Sequence, residues 1–297
     1  MSNIPVALVT GGSRGIGRAA AEELAREGYK VALIARTPER LEAAARELVE
    51  TLGLDAEHAP VTFALDVGDG QAVGDAVAAS GIPRGALFLT TKLWNPDQGY
   101  RSTLAACDRS LCALGTDYVD LYLIHWPHDP KYFDNWQEVN LETWRAFEAL
   151  YQAGKVRAIG LSNFRPRHIE NILRSCAVKP MVDQIEFHPG MAQQETVSFC
   201  RTHGMAVEGW SPLGSGRIFQ VPEIQAMSEK YGRSVAQLCL RWALQHDVIP
   251  LPKSVTPARI AENARLFDFS LDEADMRTLD ALTGCGWSGL DPDHLVY

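Results

Sequence analysis

Asp117-Tyr118-Val119-Asp120-Leu121-Tyr122-Leu123-Ile124-His125-Trp126-Pro127 is the stretch on which the fold turns. Residues 119–125 are short, β-branched, aromatic and mostly apolar, and a proline follows shortly after. Such a run reads as a strand buried on both faces rather than as a helix. Its last residue is a histidine, so an apolar strand delivers an ionisable group at its C-terminal end. Residues 87–92 do the same, ending on Lys92.

Working outward, the same rhythm covers the chain. Strands are predicted at residues 6–10, 31–35, 61–65, 87–92, 119–125, 156–161, 182–186, 206–210 and 248–251, with helices between them. Residues 18–27 carry the apolar spacing of a helix. Thr37-Pro38-Glu39 opens the next one, which runs to about Leu52 before Gly53. Residues 71–80 form another, closed by Gly81. Strands alternating with helices predict parallel strands and crossover helices. The fold class is α/β, and either a closed (β/α)8 TIM-type barrel or an open doubly wound sheet meets the pattern. Both place their sites after strand C-termini, where the polar residues cluster.

Thr10-Gly11-Gly12-Ser13-Arg14-Gly15-Ile16-Gly17 follows a strand and opens a helix. Gly11, Gly15 and Gly17 let backbone approach a pyrophosphate, and the helix N-terminus supplies free N–H groups. These residues resemble the N-terminal pattern of the short-chain dehydrogenase/reductase family. The resemblance runs from about Ile4 to Asp69. At the end of the second strand stands Arg36. A carboxylate there would suit the ribose of NAD, whereas an arginine suits the 2′-phosphate of NADP; a solvated loop cation is the plain alternative. The family's Asn-Asn-Ala-Gly segment is absent. Tyr151 and Lys155 match its Tyr-x-x-x-Lys only by coincidence, because Ala153-Gly154 reads as a helix end.

From about Gln71 the chain resembles the aldo-keto reductases. The motifs are Phe88-Leu89-Thr90-Thr91-Lys92-Leu93-Trp94, the stretch quoted first, and Gly154-Lys155-Val156-Arg157-Ala158-Ile159-Gly160-Leu161-Ser162-Asn163-Phe164. Asp183-Gln184-Ile185-Glu186-Phe187-His188-Pro189, Trp210-Ser211-Pro212-Leu213-Gly214 and Ile249-Pro250-Leu251-Pro252-Lys253-Ser254 follow in order. The resemblance implies a (β/α)8 barrel, Lys92 and His125 as catalytic residues, and NADP(H) as cofactor. It implies that Ser162, Asn163 and Gln184 hold the nicotinamide carboxamide and that Trp210 stacks under the ring, with Ser211 and Leu213 also at the cofactor. Lys253, Ser254 and Arg259 are implied at the 2′-phosphate, and Glu262 and Asn263 at the adenine. Without the resemblance, Lys92 and His125 read equally well as structural groups in a packed barrel mouth.

The pattern breaks at its start. Where the family carries an Asp and a catalytic Tyr before the helix, alignment places Thr62 and Val67. The general acid is therefore missing, and Lys92 has lost its matched carboxylate. His125, Tyr132 or Tyr100 is the expected replacement acid. A chimera accounts for this most simply, with a Rossmann-like βαβαβ segment over 1–69 replacing or extending the first units. Barrel-type units over 70–297 then form one continuous domain with it. Eight strands close a barrel, and nine are predicted. Either the strands at 31 and 61 serve as the first two of the barrel, or the ring or sheet is non-standard.

The net charge of −9, from 28 basic and 37 acidic residues, comes with no basic run. It argues against nucleic acid and against anionic membranes as partners. The six cysteines form no CxxC pair, so reduced thiols and a cytoplasmic setting are expected. A monomer acting on a small carbonyl substrate is the leading expectation. A catalytically inactive scaffold that only binds nucleotide is the alternative.

Overall fold

The strands pair in the order in which the chain makes them. The computed structural model describes residues 6–10, 21–22, 24–35, 38–64, 70–252 and 257–295. Among these lie β1 (Val6–Thr10), β2 (Lys30–Ala35), α1 (Pro38–Leu52), β3 (Val61–Ala64), α2 (Gly70–Ala79), β4 (Thr90–Leu93) and α3 (Tyr100–Leu114). They continue with β5 (Val119–Ile124), α4 (Trp136–Gln152), β6 (Val156–Ser162), α5 (Pro166–Leu173), β7 (Val182–Glu186), α6 (Gln194–Thr202) and β8 (Ala206–Trp210). Last come α7 (Pro222–Tyr231), α8 (Val235–Gln245), β9 (Val248–Leu251), α9 (Pro257–Ala264) and α10 (Glu273–Asp280). One sheet has the order β1-β2-β3 and the other β4-β5-β6-β7-β8-β9. All pairings within both are parallel. The α/β class with parallel strands is thus as the sequence predicts.

The chain divides into two compact units. The first comprises Met1–Leu87, Ser110–Thr116 and Lys253–Arg265, and the second comprises Phe88–Arg109, Asp117–Pro252 and Leu266–Tyr297. In the first, α1 buries Leu41, Ala44 and Leu48 on one stripe. These spacings of three and four residues put them on one helix face. They pack with Val31 and Leu33 of β2 and with Ala21 and Ala25. Gly53 takes φ +63° and Gly81 φ +70°, the left-handed conformation that ends a helix. Gly74 lets α2 lie against the end of α3, since a Cβ there would sit 2.5 Å from the Ala113 carbonyl oxygen.

In the second unit β5 is buried at all six positions. Tyr122 stacks on Phe147 of α4, centroids 4.6 Å apart, and Phe187 stacks on Trp242 of α8 at 4.6 Å. β4 begins later than the run of apolar residues suggests. The Leu89 N–H donates to the Asp120 carboxylate at 2.9 Å instead of to the ladder, and Arg84–Ala86 is a 3-10 turn. Gly160 of β6 allows close packing with β7. An added Cβ would meet the Val182 carbonyl oxygen at 2.6 Å and Leu123 Cδ2 at 2.8 Å. Gly160→Ala should therefore destabilise the chain by about 1–3 kcal/mol, seen as a lower urea midpoint; an unchanged midpoint would show that β6 and β7 can separate freely.

Candidate active site

The second unit brings several predicted site residues to the C-terminal ends of consecutive strands. Lys92 sits on β4, half-buried, opposite Leu123 of β5 in the ladder. His125 follows β5 directly and its backbone N–H donates to the Leu93 carbonyl at 3.3 Å. The Trp94 ring lies 5.2 Å from the His125 ring, centroid to centroid. Burial lowers the Lys92 pKa, and the charge of Glu208 opposes that fall. Burial, reinforced by the Lys92 charge, pushes His125 down to about 4.

That direction bears on the role His125 can play. Burial thus favours the uncharged imidazole, a form that can offer a hydrogen bond to a carbonyl oxygen. Tyr100 and Tyr132 are each about two-fifths exposed. Tyr100 lies at the start of α3 under the Arg145 guanidinium, and Tyr132 beside Lys131 and Phe133.

Ser162, Gln184 and Glu208 form one row across β6, β7 and β8, each opposite the next. Ser162 and Gln184 are buried. The Ser162 hydroxyl donates to the Gln184 carbonyl at 2.9 Å. Asn163 donates through Nδ2 to the His125 carbonyl at 3.0 Å and accepts at Oδ1 from Trp210 Nε1 at 2.7 Å. Its φ is +65°, a left-handed backbone that asparagine tolerates better than most residues. Gln184 Nε2 donates to Glu208 at 2.7 Å. A hydroxyl and two carboxamides therefore sit beside an indole, a donor and acceptor set suited to an amide-bearing ring. Ser211 also has positive φ, +51°, its hydroxyl 3.3 Å from that of Ser215; Leu213 opens the following 3-10 segment.

The remaining predicted residues are placed differently. Arg259, Glu262 and Asn263 lie on α9 in the first unit, with Arg259 exposed and Asn263 buried. Gly11, Gly15, Gly17, Arg36, Val67, Lys253 and Ser254 lie outside the described residues. Lys155 follows the end of α4 and pairs with Asp108 at 2.5 Å, in keeping with a coincidental Tyr151-x-x-x-Lys155 match.

Sequence reading missed two features. One is Glu208, whose signal is parity: it lies two residues before Trp210, hence on the same face of β8. The other is how the tail is held. Ser288 donates to Glu186 from its backbone N–H at 2.8 Å and from its hydroxyl at 2.7 Å. Arg165 donates to Asp293 at 2.5 Å and to Asp291 at 3.2 Å, and Arg167 also reaches Asp293. A cavity of about 510 Å³ beside this clasp is lined by Arg165, Arg167, Gln193 and Asp293 among others, and by no candidate site residue. Among the described residues no cluster of three or more His, Cys, Asp or Glu side chains has metal-binding geometry. No helix there is long and apolar enough to cross a membrane. The six cysteines are free thiols.

The aldo/keto reductase family profile matches residues 69–283. The chain belongs to the aldo/keto reductase family. A short chain dehydrogenase profile matches residues 5–82, so two family signatures overlap near the start of α2. Among relatives of this aldo/keto reductase, glyoxal reductase of Bacillus subtilis (strain 168) is 47% identical over 227 residues, or 76% of this chain and 79% of that one. Among solved structures, an aldo/keto reductase from Brucella melitensis has a TM-score of 0.66 and 38% identity, over 93% of this chain and 92% of that one. A mutant of Gox0644 solved in complex with NADPH has a TM-score of 0.69 and 35% identity, over 94% and 89%.

Proposed function

We propose that this chain is an NADP(H)-dependent reductase of small carbonyl compounds, slowed because Val67 stands at the aligned place of the family's proton donor. The observation that supports it most is the gathering of Lys92, His125, Ser162, Asn163, Gln184 and Trp210 at successive strand ends of one unit. The name of the Bacillus subtilis relative suggests glyoxal and related dicarbonyls as first substrates to try.

The donor set described above fits a nicotinamide. Ser162, Asn163 and Gln184 are proposed to hold its carboxamide, with Trp210 against the ring face and Ser211 and Leu213 along the adjoining segment. The cofactor supplies the hydride. His125, neutral at working pH, donates a hydrogen bond that orients the substrate carbonyl. Lys92 brings a positive charge to the oxygen as it becomes negative. Lys253, Ser254 and Arg259 are proposed for the 2′-phosphate and Glu262 and Asn263 for the adenine. Gly11, Gly15, Gly17 and Arg36 are the remnant of a second nucleotide grip, inherited with a short-chain dehydrogenase-like segment over 1–69 in a chimeric chain whose barrel-type units span 70–297.

Loss of a general acid typically costs about 10²–10⁴-fold in rate, which leaves measurable turnover. The test is NADPH consumption with glyoxal or methylglyoxal at high enzyme concentration. Steady consumption above the enzyme-free rate is expected. NADPH binding by fluorescence without any consumption would overturn the reductase reading and favour the nucleotide-binding scaffold, the reading Val67 itself supports.

A further inference from the structure

We propose that Asn95 and Asp129 are positioning residues, whose buried hydrogen bond ties the segment after β4 to the segment after β5 and so sets the Trp94 ring against the His125 imidazole. Its bearing on turnover rests on the reductase reading, whereas its structural test does not.

Trp94 and His125 each follow directly on their strands, and their rings stand 5.2 Å apart, inclined by 49°. The ladder between β4 and β5 ends with Leu93 opposite Ile124, and the His125 N–H makes one more bond, to the Leu93 carbonyl. Beyond it the two segments leave the sheet. Trp94 is half-exposed, so packing alone leaves its ring loosely held. The next residue is not exposed at all. Asn95 is wholly buried, as is Asp129, and Asn95 Nδ2 donates to Asp129 Oδ2 at 2.8 Å. Gln98 Nε2 then donates to the carbonyl of Trp126 at 2.8 Å. One bond thus grips the residue after Trp94 and the other the residue after His125. All of these residues lie in the second unit.

The pair is built for direction. Asp129 Oδ1 accepts the Lys131 N–H at 3.1 Å, and the Asp129 carbonyl accepts those of Tyr132 at 3.0 Å and Phe133 at 3.2 Å. The carboxylate therefore closes its own turn while it holds Asn95. On the other side the Asp97 N–H donates to the Trp94 carbonyl at 3.0 Å, and the Gln98 N–H to the Asn95 carbonyl at 3.2 Å. Each partner precedes a proline, Pro96 or Pro130, which narrows its backbone freedom. An apolar pair of the same shape would join the two segments without the cost of burying a carboxylate. What it lacks is orientation, since a hydrogen bond weakens steeply away from its line.

The test follows the His125 ring by NMR in protein labelled at the histidine Cε1 positions, with His125→Gln to assign the signal. The Trp94 indole displaces that signal by its ring current, and Trp94→Leu gives its position without the indole. Asn95→Ala should move the His125 signal most of the way to the Trp94→Leu position, with the signals of His188 and His246 unchanged. Asp129→Ala should do the same, and the double variant should move it no further, as two halves of one contact require. Asp129→Asn keeps an acceptor for the Asn95 amide and should hold the signal near its original place. If Asn95→Ala does not fold, Asn95→Ser, too short to reach Asp129, replaces it. A His125 signal unmoved in the folded variants, even with a lower urea midpoint, would overturn the proposal and leave a merely structural bond. Where turnover is measurable, Asn95→Ala should lower kcat roughly 10–10²-fold, the cost of a small misplacement, while NADPH affinity stays within about threefold. A displaced signal in a chain that consumes no NADPH would sink the reductase reading and leave the positioning pair standing.

Discussion

Lys92→Met should lower kcat by about 10²–10⁴-fold while leaving NADPH affinity within a few-fold of the unsubstituted chain. The magnitude is that of removing a proton-bearing or charge-stabilising group from a transition state. The separation of the two parameters follows from geometry. Lys92 lies on β4, whereas the proposed carboxamide set lies on β6 and β7 and is bonded within itself. Methionine preserves most of the aliphatic stem, so the packing loss is small. Removing a half-buried ammonium whose pKa burial already depresses should not lower the melting temperature. Steady-state kinetics, a fluorescence titration and a melting curve check all three. A kcat within threefold of the starting value would remove Lys92 from the chemistry.

The melting temperature should peak near pH 6.5 and fall on both sides. His125 and His168 are pushed by burial to about 4 from an ordinary 6.5. Between those values the unfolded chain binds two protons that the folded chain refuses, so stability falls as pH drops through that window. Asp183 works in the opposite sense. Complete burial raises it to about 8 from 3.8, so the folded chain holds one proton more over that range and stability falls as pH rises. Below 6.5 the two histidines outweigh the one aspartate; between 6.5 and about 8 Asp183 prevails among the described residues. Asp291 and Asp293, whose pKa values are lowered, enter only below about 3.8. Asp183→Asn should flatten the alkaline side and keep the acid side. A wild-type melting temperature that climbs steadily from pH 6.5 to 8 would show that Asp183 is ionised in the fold.

Much of the fold was legible because buried parallel strands are short, apolar and punctuated. β7, β8 and β9 fall on the predicted residues, and Gly53 and Gly81 end their helices as read. The start of β4 was not legible, since a carboxylate thirty-one positions away, on Asp120, takes the Leu89 N–H. That Lys92, His125, Ser162, Asn163, Gln184 and Trp210 lie at strand ends of one unit was legible through the order of their motifs. The electrostatics there were not. That burial and the Lys92 charge together lower the His125 pKa depends on how the strands pack, which no local spacing encodes. The tail clasp of Arg165, Arg167, Asp291 and Asp293 escaped for the same reason, because its partners are separated by 126 or more positions.

In the second unit each strand from β5 to β9 hydrogen-bonds to the one made just before it. During synthesis, every strand leaving the ribosome therefore meets an edge that already exists, and none waits for a partner still to be translated. Pairing between neighbours keeps loop-closure costs low and assembly stepwise. The exception is the tail, whose Ser288 and Asp293 bind residues near the ends of β7 and β6. Ser288 and Asp293 thus close onto positions laid down more than a hundred residues earlier. Stop codons introduced just before Ser288 should yield chains that form the sheet on schedule and then remain open to proteases.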